Sequence, residues 1–217
     1  MTREELLVAL AARILALGED RPRRVALDGM SCVGKTTLAA ELSTVVAGAG
    51  RPVLPVSYDD FHHGRGVRHR RGRMSAEGYL EDSYDAAALR RLLLDPLAAG
   101  TRTVRTAAYD LAADEPVTRD AVDVPEDAVV VVEGEFLLDR TLADAWDLAL
   151  LLIADPAAVL ARALERDADL GTPEQVRELY LRRYLGAWSL HEERNDPWSR
   201  ADVVVDLSDP DRPRLLG

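Results

Sequence analysis

Residues 29–36 read Gly-Met-Ser-Cys-Val-Gly-Lys-Thr, a G-x-x-x-x-G-K-[ST] sequence with Thr37 behind it. They follow a short apolar run at 24–28 and open a helical pattern at 35–46, the strand–loop–helix context that gives the motif its meaning. Such a loop makes narrow demands. Gly29 and Gly34 allow backbone conformations and close approaches that a Cβ would block. Backbone N–H groups then point at phosphate oxygens, and the start of the helix adds partial positive charge. Lys35 can reach terminal phosphates and the Thr36 hydroxyl can bind Mg²⁺. The expected phosphate-site residues are Gly29, Ser31, Cys32, Val33, Gly34, Lys35, Thr36 and Thr37. The plain alternative is a glycine turn with no ligand. Cys32 also has two readings: a thiol that gates activity by oxidation, its pKa lowered at a helix start, or a small residue filling a variable position.

Basic-residue usage singles out the same place. Of 27 basic side chains one is lysine, Lys35, and 26 are arginine. Arginine does not replace lysine where a compact, slender ammonium is needed. The wider composition sets bounds. With 217 residues, 47% apolar and 30% charged, the chain can bury a core and is not disordered. No apolar run approaches a membrane span, and Glu4 and Glu5 interrupt the pattern at 1–17, which reads as an amphipathic helix and a cytoplasmic protein without membrane partners. A single cysteine excludes an internal disulfide. A net charge of -11 and a pI near 4.9 argue against a nucleic-acid partner.

Apolar runs at 24–28, 52–57, 128–133, 148–153 and 202–206 do not alternate with polar residues, as in strands buried on both faces. Helical patterns at 35–46, 85–94, 156–167 and 173–193 lie between them. The order predicts an α/β fold: a doubly wound, five-stranded parallel sheet flanked by helices, with a small lid. Pro52 and Pro55 weaken the second run as a central strand. The charged, aperiodic stretch 61–78 reads as a surface loop. The row of Tyr180, Tyr184 and Trp188 with Leu179, Leu181 and Leu185 reads as packing, and His191 needs no catalytic role.

Glu133 ends a run of four valines. An acid at the end of an apolar strand is the second half of a nucleotide site, where its carboxylate orders Mg²⁺; a solvent-facing strand end is the alternative. Glu135 is expected on the same side if the strand continues. A GTPase guanine motif needs a second lysine, so it is excluded. No transporter signature appears and the chain is short for a helicase motor. Small-molecule kinases remain, which need a base, an acceptor pocket and lid arginines.

Residues 57–62, Ser-Tyr-Asp-Asp-Phe-His, follow the second strand. With the phosphate loop, the Glu133-Gly134 pair and the closing Ala201-Asp202-Val203 strand, the chain resembles the uridine kinase group of P-loop kinases, whose relatives include nicotinamide riboside kinase, pantothenate kinase and phosphoribulokinase. The resemblance covers most of the chain. It implies one kinase domain over 1–217, a lid of roughly 162–177 and an acceptor-side insertion of roughly 61–120. It implies that Asp59 is the base toward the acceptor hydroxyl, with Asp60 beside it and His62 at the family's aromatic position, and that ATP and Mg²⁺ are the cofactors, Thr36 and Glu133 organising the metal. It implies a small-molecule acceptor and points to a nucleoside, with His62, Tyr109 and Asp114 in its pocket. Leu111 and Asp114 replace an aromatic and a histidine of the family pattern. A carboxylate offers other hydrogen bonds than an imidazole. Glu81, Asp82 and Asp85 fall where relatives hold a sugar diol, or form an acidic helix start.

Arg162 and Arg166 lie four apart on one helical face, matching part of the family's lid. They would neutralise charge on the transferring phosphoryl group, or merely pair with Glu165 or Asp169. Arg177, Arg182 or Arg183 could supply a further lid arginine. The stretch 62–73, with five arginines and three histidines, reads as an acceptor loop for an anionic or polar substrate, a partner surface or a solvated loop. The other acceptors open at this stage are a pantothenate-like alcohol, nicotinamide riboside or a sugar. A nucleotide-binding regulator that hydrolyses ATP slowly is the alternative of another class. ATP against GTP, and a homo-oligomer against a monomer, stay open.

Overall fold

The computed structural model describes residues 1–216. Helix α1 (Arg3–Leu15) starts on Thr2, whose hydroxyl accepts from the Glu5 N–H while the Glu5 carboxylate accepts from the Thr2 N–H. This reciprocal cap explains the early acids of the amphipathic pattern. Strand β1 (Arg23–Gly29) leads through the glycine loop into α2 (Lys35–Gly48). Then come β2 (Val53–Ser57), α3 (Ala76–Asp82) and a helical run α4 over 86–98 whose middle turn, Arg90–Leu94, is a wider π turn. Strands β3 (Val129–Gly134) and β4 (Leu148–Ile153), helix α5 (Pro156–Arg166), a long helix α6 over 173–195, and strands β5 (Val203–Asp206) and β6 (Arg214–Leu216) complete the chain.

The sheet order is β6-β5-β4-β1-β3-β2. All five strands anticipated from the apolar runs are present and mutually parallel; β6 pairs antiparallel with β5 and adds a sixth, edge strand. Its three residues, Arg-Leu-Leu, are too short and too exposed to announce a strand. Pro55 is accommodated because β2 is the opposite edge, where a missing N–H breaks no ladder.

The four valines show how the sequence builds two layers. Val129 and Val131 join the core formed with α1, α2, α5 and α6, whereas Val130 and Val132 join the core formed with α4. Successive side chains of a strand point to opposite faces, so an unbroken apolar run is what a sheet covered on both sides requires. The tyrosine–tryptophan row of α6 packs as expected: Tyr180 and Trp188 are buried in the first core.

The stretch 61–78 lies largely at the surface, but it is not a plain loop. Phe61 is fully buried, Arg65–Arg68 forms a helical turn and α3 begins at Ala76. The segment folds over the carboxyl ends of the strands, held by Arg71 to Glu81 at 2.5 Å and to Asp82 at 3.1 Å. Ion pairing with α3 rather than apolar periodicity orders it, which is why no period appears in the sequence.

The start of β1 is fixed to β4 by Asp147. Its carboxylate accepts from Arg21 at 2.6 and 3.0 Å and from the Arg24 backbone N–H at 2.8 Å. Against the burial that raises it, these bonds hold the Asp147 carboxyl down to about 2. A carboxylate depressed by folding stabilises the native state above its unfolded pKa, and that contribution is lost as pH falls through the folded value. In urea unfolding at pH 7, Asp147→Asn is expected to lose about 1–2 kcal/mol, allowing for partial solvent screening. The difference from the parent protein is expected to vanish as pH falls toward about 2.

Candidate active site

The site forms where β1, β3 and β2 end, at the crevice that an open α/β sheet offers to ligands. The glycine loop is held there by close contact. A Cβ on Gly29 would meet the Leu152 carbonyl oxygen at 2.5 Å, so only glycine lets β1 pass into the loop against β4. Gly34, at φ 109°, turns the chain into α2 through the left-handed region. Cys32 also sits there, at φ 57°, a costly conformation for a residue with a Cβ. Beneath the loop, buried Asp28 accepts from the Gly29 N–H at 2.7 Å and from the Leu138 N–H at 2.9 Å. Val33 points into the core and contributes only backbone to the loop.

Lys35 Nζ donates to the carbonyls of Gly29 and Met30 at 2.9 and 3.0 Å, across the mouth of its own loop. The Thr36 hydroxyl donates to Glu133 Oε2 at 3.3 Å, and the Ser57 hydroxyl donates to Glu133 Oε1 at 2.8 Å. Two hydroxyls around one carboxylate form a set of hard oxygens that suits Mg²⁺, which keeps several waters and takes few protein ligands. Ser57 was missing from the sequence reading, although it ends the second apolar run.

Lys35, Thr36 and Glu133 line one cavity of about 680 Å³ that continues past Asp59. Asp59 follows β2 on a single 3₁₀ turn, Tyr58–Phe61, and is exposed to the cavity. Tyr84 donates to Asp59 Oδ1 at 3.2 Å, and its ring stacks on Tyr58 with centroids 4.5 Å apart. His62 lies tilted against Tyr84, and its Nδ1 is 2.9 Å from the Asp59 carbonyl oxygen. Burial pushes the His62 imidazole below its usual range, so near neutral pH it is an uncharged ring. Glu135 lines the same cavity as Glu133, although β3 stops at Gly134. Tyr79 donates to its Oε1 at 3.0 Å, and its Oε2 is buried without a partner. Burial, with the nearby Asp59 charge, raises the Glu135 carboxyl.

The lid arginines separate. Arg166 is exposed and lines both this cavity and a smaller one of about 260 Å³ on the outer side of the loop. Asp167 holds it at 2.8 Å and 3.0 Å, and the Tyr180 hydroxyl, which accepts from Arg166 at 2.8 Å, lies 3.3 Å from Cys32 Sγ. Arg162 instead donates to four carbonyls: Leu207 at 2.6 Å, Ser208 at 3.0 Å, Val33 at 3.3 Å and Cys32 at 3.5 Å. Its guanidinium joins the loop to the segment after β5 and also lines the smaller cavity with Lys35, Thr36 and Arg166, whereas only Arg166 of the two reaches the larger one. The lowered thiol pKa is corrected: burial pushes the Cys32 thiol up, outweighing the cations nearby.

The acceptor residues implied by the resemblance fare differently. His62 lines the cavity, but Tyr109 and Asp114 are not among its lining residues; Leu111 is. The Tyr109 hydroxyl donates to Asp114 at 3.0 Å, and Asp114 also accepts from Arg68 at 2.9 Å and from the Arg65 N–H at 3.0 Å. The pair braces the turn Arg65–Arg68. Glu81 and Asp82 pair with Arg71, and Asp85 caps α4 by accepting from the Ala88 N–H at 2.8 Å. From the Tyr-Leu-Glu-Asp-Ser-Tyr-Asp stretch, Tyr79, Ser83 and Tyr84 reach the cavity instead of the acids. Arg182 pairs with Glu178 on the surface at 2.9 Å, whereas Arg183 is buried and lines the cavity.

No family model matches the chain. Among curated proteins, a pantothenate kinase from Afipia carboxidovorans is 27% identical over 183 residues, 76% of this chain and 56% of that protein. The match thus spans little more than half the length of that relative. Among solved structures, a possible uridine kinase from Bacillus stearothermophilus superposes with a TM-score of 0.75 at 24% identity, over 93% of this chain and 97% of that one. The fold is that of the P-loop kinases. A candidate fructose transport system kinase from a Silicibacter species matches with a TM-score of 0.73 at 26% identity, over 90% of this chain and 96% of that one. The structural neighbours are thus uridine kinase-like and related P-loop kinases.

The split between the lid arginines is testable on the free protein. Arg162→Met leaves four carbonyls without their donor and is expected to cost about 2–3 kcal/mol of stability in urea unfolding. Arg166→Met, an exposed change, is expected to cost less than about 1 kcal/mol.

Proposed function

We propose that the protein is an ATP-dependent phosphotransferase that moves the γ-phosphoryl group of ATP to a hydroxyl of a small molecule. The supporting observation is that Lys35, Thr36, Glu133, Asp59 and Arg166 line one continuous cavity, with room beyond Asp59 for an acceptor. The names of the pantothenate, uridine and fructose-related kinases above point the same way. In this reading 162–177 is a lid over the donor phosphates and 61–120 shapes the acceptor end.

The chemistry follows from what each group can do. The loop N–H groups and Lys35 hold the β- and γ-phosphates. Bound at Thr36, Ser57 and Glu133, Mg²⁺ would neutralise charge on the phosphate oxygens. The acceptor oxygen approaches the γ-phosphorus while the Asp59 carboxylate takes its proton. A new O–P bond forms, the bond from phosphorus to the bridging oxygen breaks, and ADP leaves. Asp59 needs little basicity, because phosphoryl transfer is mostly positioning and charge neutralisation. Tyr84 orients the carboxylate by donating to Oδ1. Arg166, held in place by Asp167, balances charge that spreads over the moving phosphoryl group.

The nucleoside suggested by the resemblance is the narrower form of this reading. The faces of His62 and Tyr84 could stack on a base, but Tyr109 and Asp114 are engaged with one another. The acceptor is therefore put no more narrowly here than a small alcohol.

Asp59→Asn separates a kinase from a nucleotide-binding regulator. Acceptor-stimulated ADP release is expected to fall by about 100- to 10,000-fold, with ATP affinity retained. Unaltered acceptor-stimulated turnover would overturn the base assignment. ADP release that no acceptor stimulates, equal in parent and variant, would favour the regulator.

A further inference from the structure

The end of the cavity beyond His62 holds more positive charge than the protein around it neutralises. Arg183 is only 5% exposed, yet no aspartate or glutamate among the described residues forms an ion pair with it. Its guanidinium donates to the Arg73 carbonyl and lies over the Tyr79 ring, 4.7 Å from the centroid. Arg73 is exposed, Arg68 Nε is buried without a partner, and His69 lies among the same arginines. Asp114 is the carboxylate that faces this group, and it is already shared by Arg65 and Arg68. Burial and the charges of Arg68 and Arg73 both lower the Arg183 pKa, although an arginine stays charged throughout.

Taking a guanidinium out of water without a counter-ion is costly. Residue 183 also falls in the π turn of α6, Tyr180–Tyr184, an irregularity found often at functional sites. A planar fork of donors aimed into a cavity matches a carboxylate or a phosphate. Tyr79 sets the spacing: its ring carries Arg183, while its hydroxyl reaches Glu135 on the Asp59 side. His62 lies between, close enough to feel both the Asp59 and the Arg183 charge.

We propose that the acceptor is an anionic alcohol, whose hydroxyl lies at Asp59 and whose carboxylate or phosphate group enters the arginine-lined end of the cavity, on Arg183, Arg68 and Arg73. This rests on the kinase reading for the position of the hydroxyl. It turns the basic stretch 62–73 into a substrate-selecting element. Arg70 and Arg71 pair outward with Asp82, and Arg65, Arg68, His69 and Arg73 line the cavity.

The test is calorimetric titration of the protein loaded with Mg²⁺ and a non-hydrolysable ATP analogue. The probes are matched pairs that differ by one anionic group. Glycerate with glycerol and pantothenate with panthenol form the carboxylate arm. Fructose 6-phosphate with fructose and uridine monophosphate with uridine form the phosphate arm. At least one anionic member is expected to bind about tenfold or more tightly than its neutral partner, and the arm in which this occurs identifies the group. Arg183→Met is expected to weaken that anion by about 10- to 100-fold and to leave the neutral partner's affinity in place. The unliganded variant is expected to unfold at no lower a temperature, since the charge it loses has no carboxylate partner. Arg73→Gln, an exposed change, gives a weaker effect of the same sign and serves if the buried variant does not fold.

Equal affinity within every pair, no measurable binding of any anion, or an anion preference that survives both substitutions would overturn the proposal. A large loss of stability in Arg183→Met with unchanged anion binding would make Arg183 a structural clamp and overturn it too. The kinase reading fails separately: ADP release with neutral alcohols alone would spare it and remove the anion site, whereas an anion that binds at Arg183 and is never phosphorylated would do the reverse.

Discussion

The contact between Gly29 and the Leu152 carbonyl is the constraint on which the site depends. Because no side chain separates β1 from β4 there, the loop 29–36 starts at the level where β3 delivers Glu133 and β2 delivers Asp59. Asp28 secures the arrangement from below by binding both the Gly29 N–H and the Leu138 N–H, so the turn after β1 and the turn after β3 share one buried carboxylate. Arg162 secures it from behind through carbonyls of the loop and of the segment after β5. The phosphate site and the acceptor base proposed above would then both follow from one register among adjacent strands.

Much of this was legible because it is written in local chemistry. Unbroken valine runs fit strands covered on both faces, and a lone lysine after Gly34 marks a position where a slender ammonium is wanted. Thr36 and Glu133 meet as the spacing implied. Other features depend on which groups meet in space. The acids of the 79–85 segment drew attention as sugar ligands, but they are consumed by Arg71 and by the cap of α4, and the tyrosines between them reach the cavity. Tyr109 and Asp114 match a motif in sequence yet satisfy each other in space. Nothing in the spacing of Arg162 and Arg166 tells that one binds four carbonyls and lines only the smaller cavity while the other reaches both. The edge strand β6 and the folded segment 61–78 were invisible because neither carries hydrophobic periodicity.

Buried arginine does two jobs in this fold. Arg51, 4% exposed, donates to the carbonyls of Ile14, Leu17, Gly18 and Asp127, joining the end of α1 to the start of β3. Arg162 does the same for the phosphate loop. Each makes four bonds to backbone oxygens, which a planar group with five donors is suited to satisfy. Arg183 is buried as they are but donates to one carbonyl alone. The contrast between saturated and unsaturated guanidinium groups distinguishes those that hold the fold from the one that awaits a partner.

In the proposed reaction the donor phosphates and the acceptor share the cavity between the glycine loop and Asp59. A crystal structure with Mg²⁺ and a non-hydrolysable ATP analogue tests it most directly. The account requires the β-phosphate inside loop 29–36, the metal beside Thr36 and Glu133, and the γ-phosphate facing Asp59 across open space. A γ-phosphate turned toward the outer cavity at Arg162, with Asp59 out of reach, would contradict it.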